Sequence, residues 1–234
     1  MTVTLSDQAY EIIKAEILTC ALEPGQQIAQ SEIAGRHNLR TTPVREALQR
    51  LVTEGFVEAI PRFGYVVSPI TLSDVHEIFE MRCVLEVAAA RMAAVRGTEA
   101  QMEELSSAAE FTYVYRDRTS YSEFLAQNSD FHHSISVLAS NTRLASQISS
   151  VLDELTRLFH LGLDLRDSAG EMRDEHIALA AALIQRDPDQ AERVVQSQIA
   201  RSKLRVMEAL TQRQGSDPLA SLQQAVQVQL RPPG

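Results

Sequence analysis

The chain has 234 residues, enough for one large domain or two small ones. Its 44% hydrophobic and 23% charged residues are those of a globular protein, and no apolar run approaches the ~18 residues of a bilayer span, so no membrane partner is expected. The formal net charge of −9 argues against nucleic acid as an average, but binding needs only a local patch.

The opening residues place no basic stretch before an apolar one, which predicts no signal peptide and a cytoplasmic location. Ala9, Ile12, Ile13, Ile17 and Leu18 recur at helical spacing behind Ser6 or Asp7 as cap. Glu23-Pro24-Gly25 breaks that helix, and a short one follows at about 30–37, with Ile33 and Ala34 inward. A third helix is predicted to start at Thr42 as N-cap with Pro43 in the first helical position. Val44, Ala47, Leu48, Leu51 and Val52 form its apolar stripe and Gly55 ends it. Residues 56–60 read as a strand, 61–64 as a turn and 65–67 as the returning strand. Three helices and a hairpin over residues 1–70 describe a winged helix-turn-helix.

From Thr71 onward the spacing predicts helices at about 72–96, 99–116, 121–139, 142–165, 168–186 and 188–213. Thr71 or Ser73, Thr98 with Gln101, and Ser120 with Glu123 supply caps, and Pro188 opens the last helix. The fold class is therefore mainly α: a winged helix-turn-helix over 1–70, an antiparallel six-helix bundle over 71–213, and a tail over 214–234 expected to be disordered apart from a weak amphipathic turn at 219–228. Cys20 and Cys83 fall in apolar-periodic segments and read as buried thiols.

Charge sharpens the N-terminal reading. Residues 1–70 hold six Lys/Arg against eight Asp/Glu, yet within 36–50 Arg36, Arg40, Arg45 and Arg50 face only Glu46. A recognition helix puts its N-terminal end into the major groove, and Arg40, Thr41, Thr42 and Arg45 occupy that end. Arginine bridges guanine O6 and N7 or clamps a phosphate, and threonine touches a phosphate or a thymine methyl. Arg36 and Arg50 flank the groove in this reading, and Arg62 and Gly64 form a compact wing against the backbone or minor groove. Scattered arginines are also compatible with a solvated face.

The segment 31–67 resembles the DNA-binding domain of the GntR family of bacterial regulators, through its Thr-Pro-Val-Arg-Glu-Ala-Leu run, its Glu-Gly-Phe-Val close and its Pro-Arg-x-Gly-x-x-Val wing. The resemblance implies double-stranded operator DNA as partner. Where that family has Ser-Arg-Thr-Pro, this chain has Arg40-Thr41-Thr42-Pro43, so Thr41 stands in for a base-reading arginine and a different operator sequence is implied.

In the helical region, Asn128 and His132 share a helix face, and His176 and Gln198 lie on later helices. On chemistry alone these are ordinary polar residues at helix interfaces, with no free-standing zinc motif. The pattern Asn128-x-x-Phe131-His132, then Glu175-His176-x-x-Leu179, after Arg82-x-x-x-Glu86, resembles the FCD-type effector domain of the FadR subfamily, in its shorter VanR-like branch. That resemblance implies a homodimer, a small carboxylate effector and a divalent metal (zinc or nickel) held by Asn128, His132 and His176, with Gln198 in the fourth position. Asn replaces Asp and Gln replaces His in this set, and amide oxygens are weak ligands for those metals. The other arrangement it allows is a metal-free cavity, in which His132 and His176 bond the effector directly and Arg82 pairs with its carboxylate.

The sequence thus points to a ligand-responsive regulator, a repressor released by an organic acid. Two alternatives stay open: an interaction scaffold that has lost specific DNA binding, and a helical metalloenzyme. The second lacks an HExxH motif, paired catalytic acids at a useful spacing and a Gly-rich phosphate loop.

Overall fold

The computed structural model describes residues 4–163 and 166–216. In chain order it contains α1 (Leu5–Leu18), β1 (Gln27–Ile28), α2 (Gln30–Arg36), α3 (Thr41–Thr53), β2 (Val57–Ile60) and β3 (Gly64–Val67). Then come α4 (Leu72–Arg96), α5 (Glu99–Ser107), α6 (Arg118–Leu138), α7 (Thr142–Gly162), α8 (Ala169–Ile184) and α9 (Pro188–Ser216). The fold is a winged helix-turn-helix followed by a six-helix bundle, as the periodicity predicts. The expected tail begins inside α9; its remainder, with 219–228, lies outside the described residues.

The N-terminal unit closes around one apolar core. Ala9, Ile13 and Ile17 of α1 meet Val44, Ala47, Leu48 and Leu51 of α3, and Ile33, Phe56, Val57 and Val67 complete it. Thr4, not Ser6 or Asp7, caps α1: its hydroxyl accepts from the Asp7 N–H while the Asp7 carboxylate takes the Thr4 N–H. α3 begins at Thr41, earlier than the Thr42-Pro43 pair predicts, and Arg40 holds the N-cap position without a side-chain hydrogen bond. Pro43 is tolerated in this first turn because its missing N–H would have no intrahelical partner there.

The hairpin β2–β3 is antiparallel, with Ile60 opposite Gly64 and Val57 opposite Val67. A strand that the sequence did not reveal, β1, pairs with the other edge of β3, giving the order β1-β3-β2. It has only two residues, one of them buried, so no alternation is visible; the pairing is made by Gly25, whose φ of +82° turns the chain so that its N–H reaches the Val67 carbonyl at 2.9 Å.

In the bundle, α4 presents Val75, Phe79, Ala89, Ala90, Ala93 and Ala94 to the core. The alanines let α9 approach closely along much of its length. Thr71 with Asp74 and Thr98 with Gln101 form capping boxes. Asp117, and not Ser120, caps α6; Ser120 instead bonds the backbone of Val114 and Asp117.

The predicted helix 99–116 is the main correction. α5 stops at Ser107, and the following segment runs extended, with Ala109, Phe111 and Tyr113 buried and Glu110, Thr112 and Val114 exposed. A period of two in an aromatic and β-branched stretch is the signature of extended chain, and it overrides helical continuation. Cys20 and Cys83 are only half-buried, not fully buried.

The two units touch through α1 and α7. Lys14 Nζ lies 2.7 Å from Asp153 of α7 and 3.4 Å from Glu54. Buried Arg157 of α7 donates to the carbonyl of Ser68, just past β3, at 2.7 Å.

Candidate functional site

The candidate site residues fall into two groups. The first is the exposed end of α3. Arg40, Thr41, Thr42 and Arg45 all face solvent, whereas Pro43, Val44, Ala47 and Leu48 are buried. The first turn carries no acidic residue and no side-chain cap, so its N–H groups are open to an anion. Among the described residues Arg40, Arg45 and Arg62 have no ion-pair partner. Arg36 is tied to Glu16 at 3.2 Å. Arg50 is tied to Asp7 at 2.8 Å and stacked 3.9 Å over the Tyr10 ring. The wing turn holds Arg62 and Gly64 at φ of +70° and +93°, and Phe63 between them stands 71% exposed.

The second group lies inside the bundle. Arg82, Asn128, His132, His176 and Gln198, from α4, α6, α8 and α9, are all buried. Arg82 and Glu86 occupy core-facing turns of α4, between Phe79 and Ala89. Their ion pair is short, Nε to Oε1 at 2.6 Å. The second Glu86 oxygen meets His132 Nδ1 at 2.9 Å. His132 Nε2 faces Arg82 Nη2 at 3.3 Å, and Arg82 Nη1 donates to Ser202 Oγ at 3.2 Å.

Complementarity sets the protons. A carboxylate only accepts and a guanidinium only donates, so His132 carries its proton on Nδ1 and accepts at Nε2. Glu86 is buried, which raises a carboxyl, but Arg82 and His132 outweigh that and hold it at about 2, well below 4.5. His176 Nε2 meets Asn128 Oδ1 at 3.1 Å, which puts its proton on Nε2. Burial first, then His132 and Arg82, hold its pKa well below the ordinary value, so the ring is neutral. Its Nδ1 and the Gln198 Oε1 are buried acceptors without a partner among the described residues. Gln198 and Ser202 share a face of α9. The segment 110–114 supplies one wall through Phe111, 4.5 Å from the His176 ring, and α6 adds Phe131, 5.0 Å from it.

These residues converge, but into a hydrogen-bonded network and not around a common coordination point. Both His132 nitrogens are claimed, one of them by a cation, and Asn128 is claimed by His176. That leaves one imidazole nitrogen and one amide oxygen for a metal. No group of three or more His, Cys, Asp or Glu able to hold a metal exists among the described residues. The donor set does not fit a divalent metal.

Sequence reasoning assigned no role to Glu86, Ser202 or Phe111. The signal for Glu86 was present: a charged i, i+4 pair placed on an otherwise apolar stripe.

Residues 5–67 match the family described as bacterial regulatory proteins, gntR family, and residues 77–201 match the FCD domain. The chain is 26% identical over 194 residues to the HTH-type transcriptional repressor RspR of Escherichia coli strain K12, covering 83% of this chain and 85% of that protein. It is 25% identical over 189 residues to the Nta operon transcriptional regulator of Aminobacter aminovorans, covering 80% and 87%. Its fold is similar to the crystal structure of a GntR transcriptional regulator from Rhodococcus sp. RHA1, with a TM-score of 0.72 at 20% identity over 87% of this chain and 98% of that one. No helix among the described residues is long and apolar enough to cross a membrane. Both family matches fall on the two parts of the fold described above, the winged unit and the helical bundle: the chain belongs to the GntR family with an FCD domain, a DNA-binding transcriptional regulator and not an enzyme.

Proposed function

We propose that residues 1–70 read operator DNA, that 71–213 bind an effector and dimerise, and that the protein is a cytoplasmic repressor released by a small organic acid. In this reading Arg40, Thr41, Thr42 and Arg45 enter the major groove, and Arg62 and Gly64 carry the wing to the flanking backbone. Arg36 and Arg50 act at the edge of the footprint, their guanidinium groups shared with Glu16 and Asp7. The repressor sign follows the name carried by RspR.

The observation that carries the effector reading is the buried cluster itself. A buried ion pair is often no more stabilising than apolar packing of the same volume, and the two orphan acceptors carry a desolvation cost, so a ligand that uses these groups explains their presence. Arg82 offers a guanidinium to a carboxylate, in competition with Glu86. His176 Nδ1 and Gln198 Oε1 accept, so the ligand brings donors. The effector class is therefore a hydroxy acid or sugar acid, bound without a metal. Because the cluster is closed, the effector binds an opened arrangement and shifts the population toward it.

Operator fragments selected from genomic DNA, titrated by fluorescence anisotropy in the presence of D-gluconate, L-lactate and related hydroxy acids, test this. One of the acids is expected to weaken operator binding, and the double variant His132→Ala, His176→Ala to keep operator affinity while losing the response. A variant that responds normally removes the cluster from the proposal.

A further inference from the structure

A cleft of about 410 Å³ opens where the winged unit meets the bundle, within the range of ~300–1,000 Å³ of small-molecule sites. Its walls come from both units: Glu58 of β2 on one side, Asp74 and Glu77 of α4 and Glu154 of α7 on the other. Four carboxylates on a rim would by themselves be a solvated face. What sets this cleft apart is Arg157, which also lines it.

Arg157 is only 6% exposed, yet among the described residues no carboxylate oxygen lies within 4.0 Å of its guanidinium. Its side chain donates to the Ser68 carbonyl, and its Nε has no partner among the described residues. Glu154 and Asp74 act on it only from a distance and the Phe56 ring lies 5.6 Å away, so the guanidinium has no direct counter-anion, and a ligand carboxylate would complete it. Nearby, partial enclosure pushes the Glu154 carboxyl up, Arg157 opposes this, and Asp74 and Asp153 add to it, as expected where carboxylates outnumber the cation.

We propose that this cleft is a second ligand site, separate from the buried cluster, and that it takes a basic amino acid: the carboxylate on Arg157, the cationic groups among Glu58, Asp74, Glu77 and Glu154. One guanidinium against four carboxylates selects a ligand with one anionic and two cationic groups over a neutral or acidic one. A ligand gripped by β2 on one wall and by α4 and α7 on the other fixes the angle between the reading head and the bundle.

The test is calorimetry on the full chain with L-lysine, with cadaverine (the same chain without the carboxylate) and with L-glutamate. L-lysine is expected to bind, cadaverine about tenfold more weakly, and L-glutamate not at all. The double variant Glu58→Gln, Glu154→Gln removes two surface charges and should melt like the parent; its L-lysine affinity is expected to fall by about tenfold or more. No heat with L-lysine, or an unchanged affinity in that variant, overturns the site. Equal binding of cadaverine and L-lysine overturns the role of Arg157. The variant His132→Ala, His176→Ala is expected to bind L-lysine normally; loss there would move L-lysine to the buried cluster and sink the second site while leaving the effector proposal standing.

Discussion

Replacing Arg82 by Met removes a guanidinium of similar length from the centre of the bundle and strands Glu86. The magnitude follows from the geometry. Glu86 is 6% exposed and held at about 2 against an ordinary 4.5, a displacement worth roughly 3 kcal/mol of native-state stabilisation at neutral pH. Breaking a buried pair by removing one partner costs about 3–5 kcal/mol by the same reasoning, since the remaining charge is uncompensated. Arg82→Met alone should therefore lower the unfolding free energy by about 3–5 kcal/mol in urea titration at one fixed protein concentration. The double variant Arg82→Met, Glu86→Leu should recover most of that, because an apolar pair of similar volume needs no desolvation of charge. It should nevertheless lose the response to hydroxy acids. The sign in acid is also fixed: the parent's Glu86 contribution is complete above pH 4.5 and is lost as pH falls toward 2, and the double variant lacks that loss. A single variant that costs less than about 1 kcal/mol, or a double variant no better than the single, would refute the idea of a costly ion pair kept for ligand recognition.

Three further outcomes are expected. Arg45→Ala should weaken operator binding by about 1–3 kcal/mol and flatten its salt dependence in anisotropy titrations; unchanged affinity would mean that α3 does not enter the groove. Gly64→Ala places a Cβ at φ +93°, in open space but in a strained backbone, and should lower the melting temperature through a cost of about 1–2 kcal/mol. Exhaustive chelation should leave the melting temperature and the acid response unchanged; a fall in either would restore a metal to the cluster.

What was legible in the sequence is what local chemistry writes down. Pro43, Gly55 and Gly64 punctuate the winged unit so firmly that α2, α3 and the hairpin stand within a residue or two of their expected bounds, whereas α1 ends at Leu18, ahead of the Glu23-Pro24-Gly25 break expected to stop it. β1 escaped because its strand character comes wholly from Tyr65 and Val66 across the sheet. The stretch after Ser107 was misread because helical spacing was extended past the point where Phe111 and Tyr113 begin to alternate with exposed neighbours. The polar cluster was legible as a set of residues but not as chemistry. Arg82 finds His132 across 50 positions and Ser202 across 120, and no spacing rule encodes which nitrogen each partner will occupy. That occupancy is what decides between a metal centre and a hydrogen-bonded network.

α4 ties these features into one device. Capped by Thr71, directly after the wing hairpin and linker, it lines the junction cleft with Asp74 and Glu77 and reaches Arg82 and Glu86 two turns later. Both residues of that ion pair stand on α4, so a ligand that parts them turns side chains of this helix, and a shift of α4 that follows would change the wall that faces Glu58 and Arg157. With such a shift the two sites would be coupled through one helix, and coupling of this kind is reciprocal. If a basic amino acid in the cleft alters the affinity of the buried cluster for a hydroxy acid by some factor, the hydroxy acid must alter the affinity of the cleft by the same factor. A rigid α4 with independent sites would give a factor of one in both directions, so one pair of titrations, each in the presence of the other ligand, decides whether the reading head hears one signal or two.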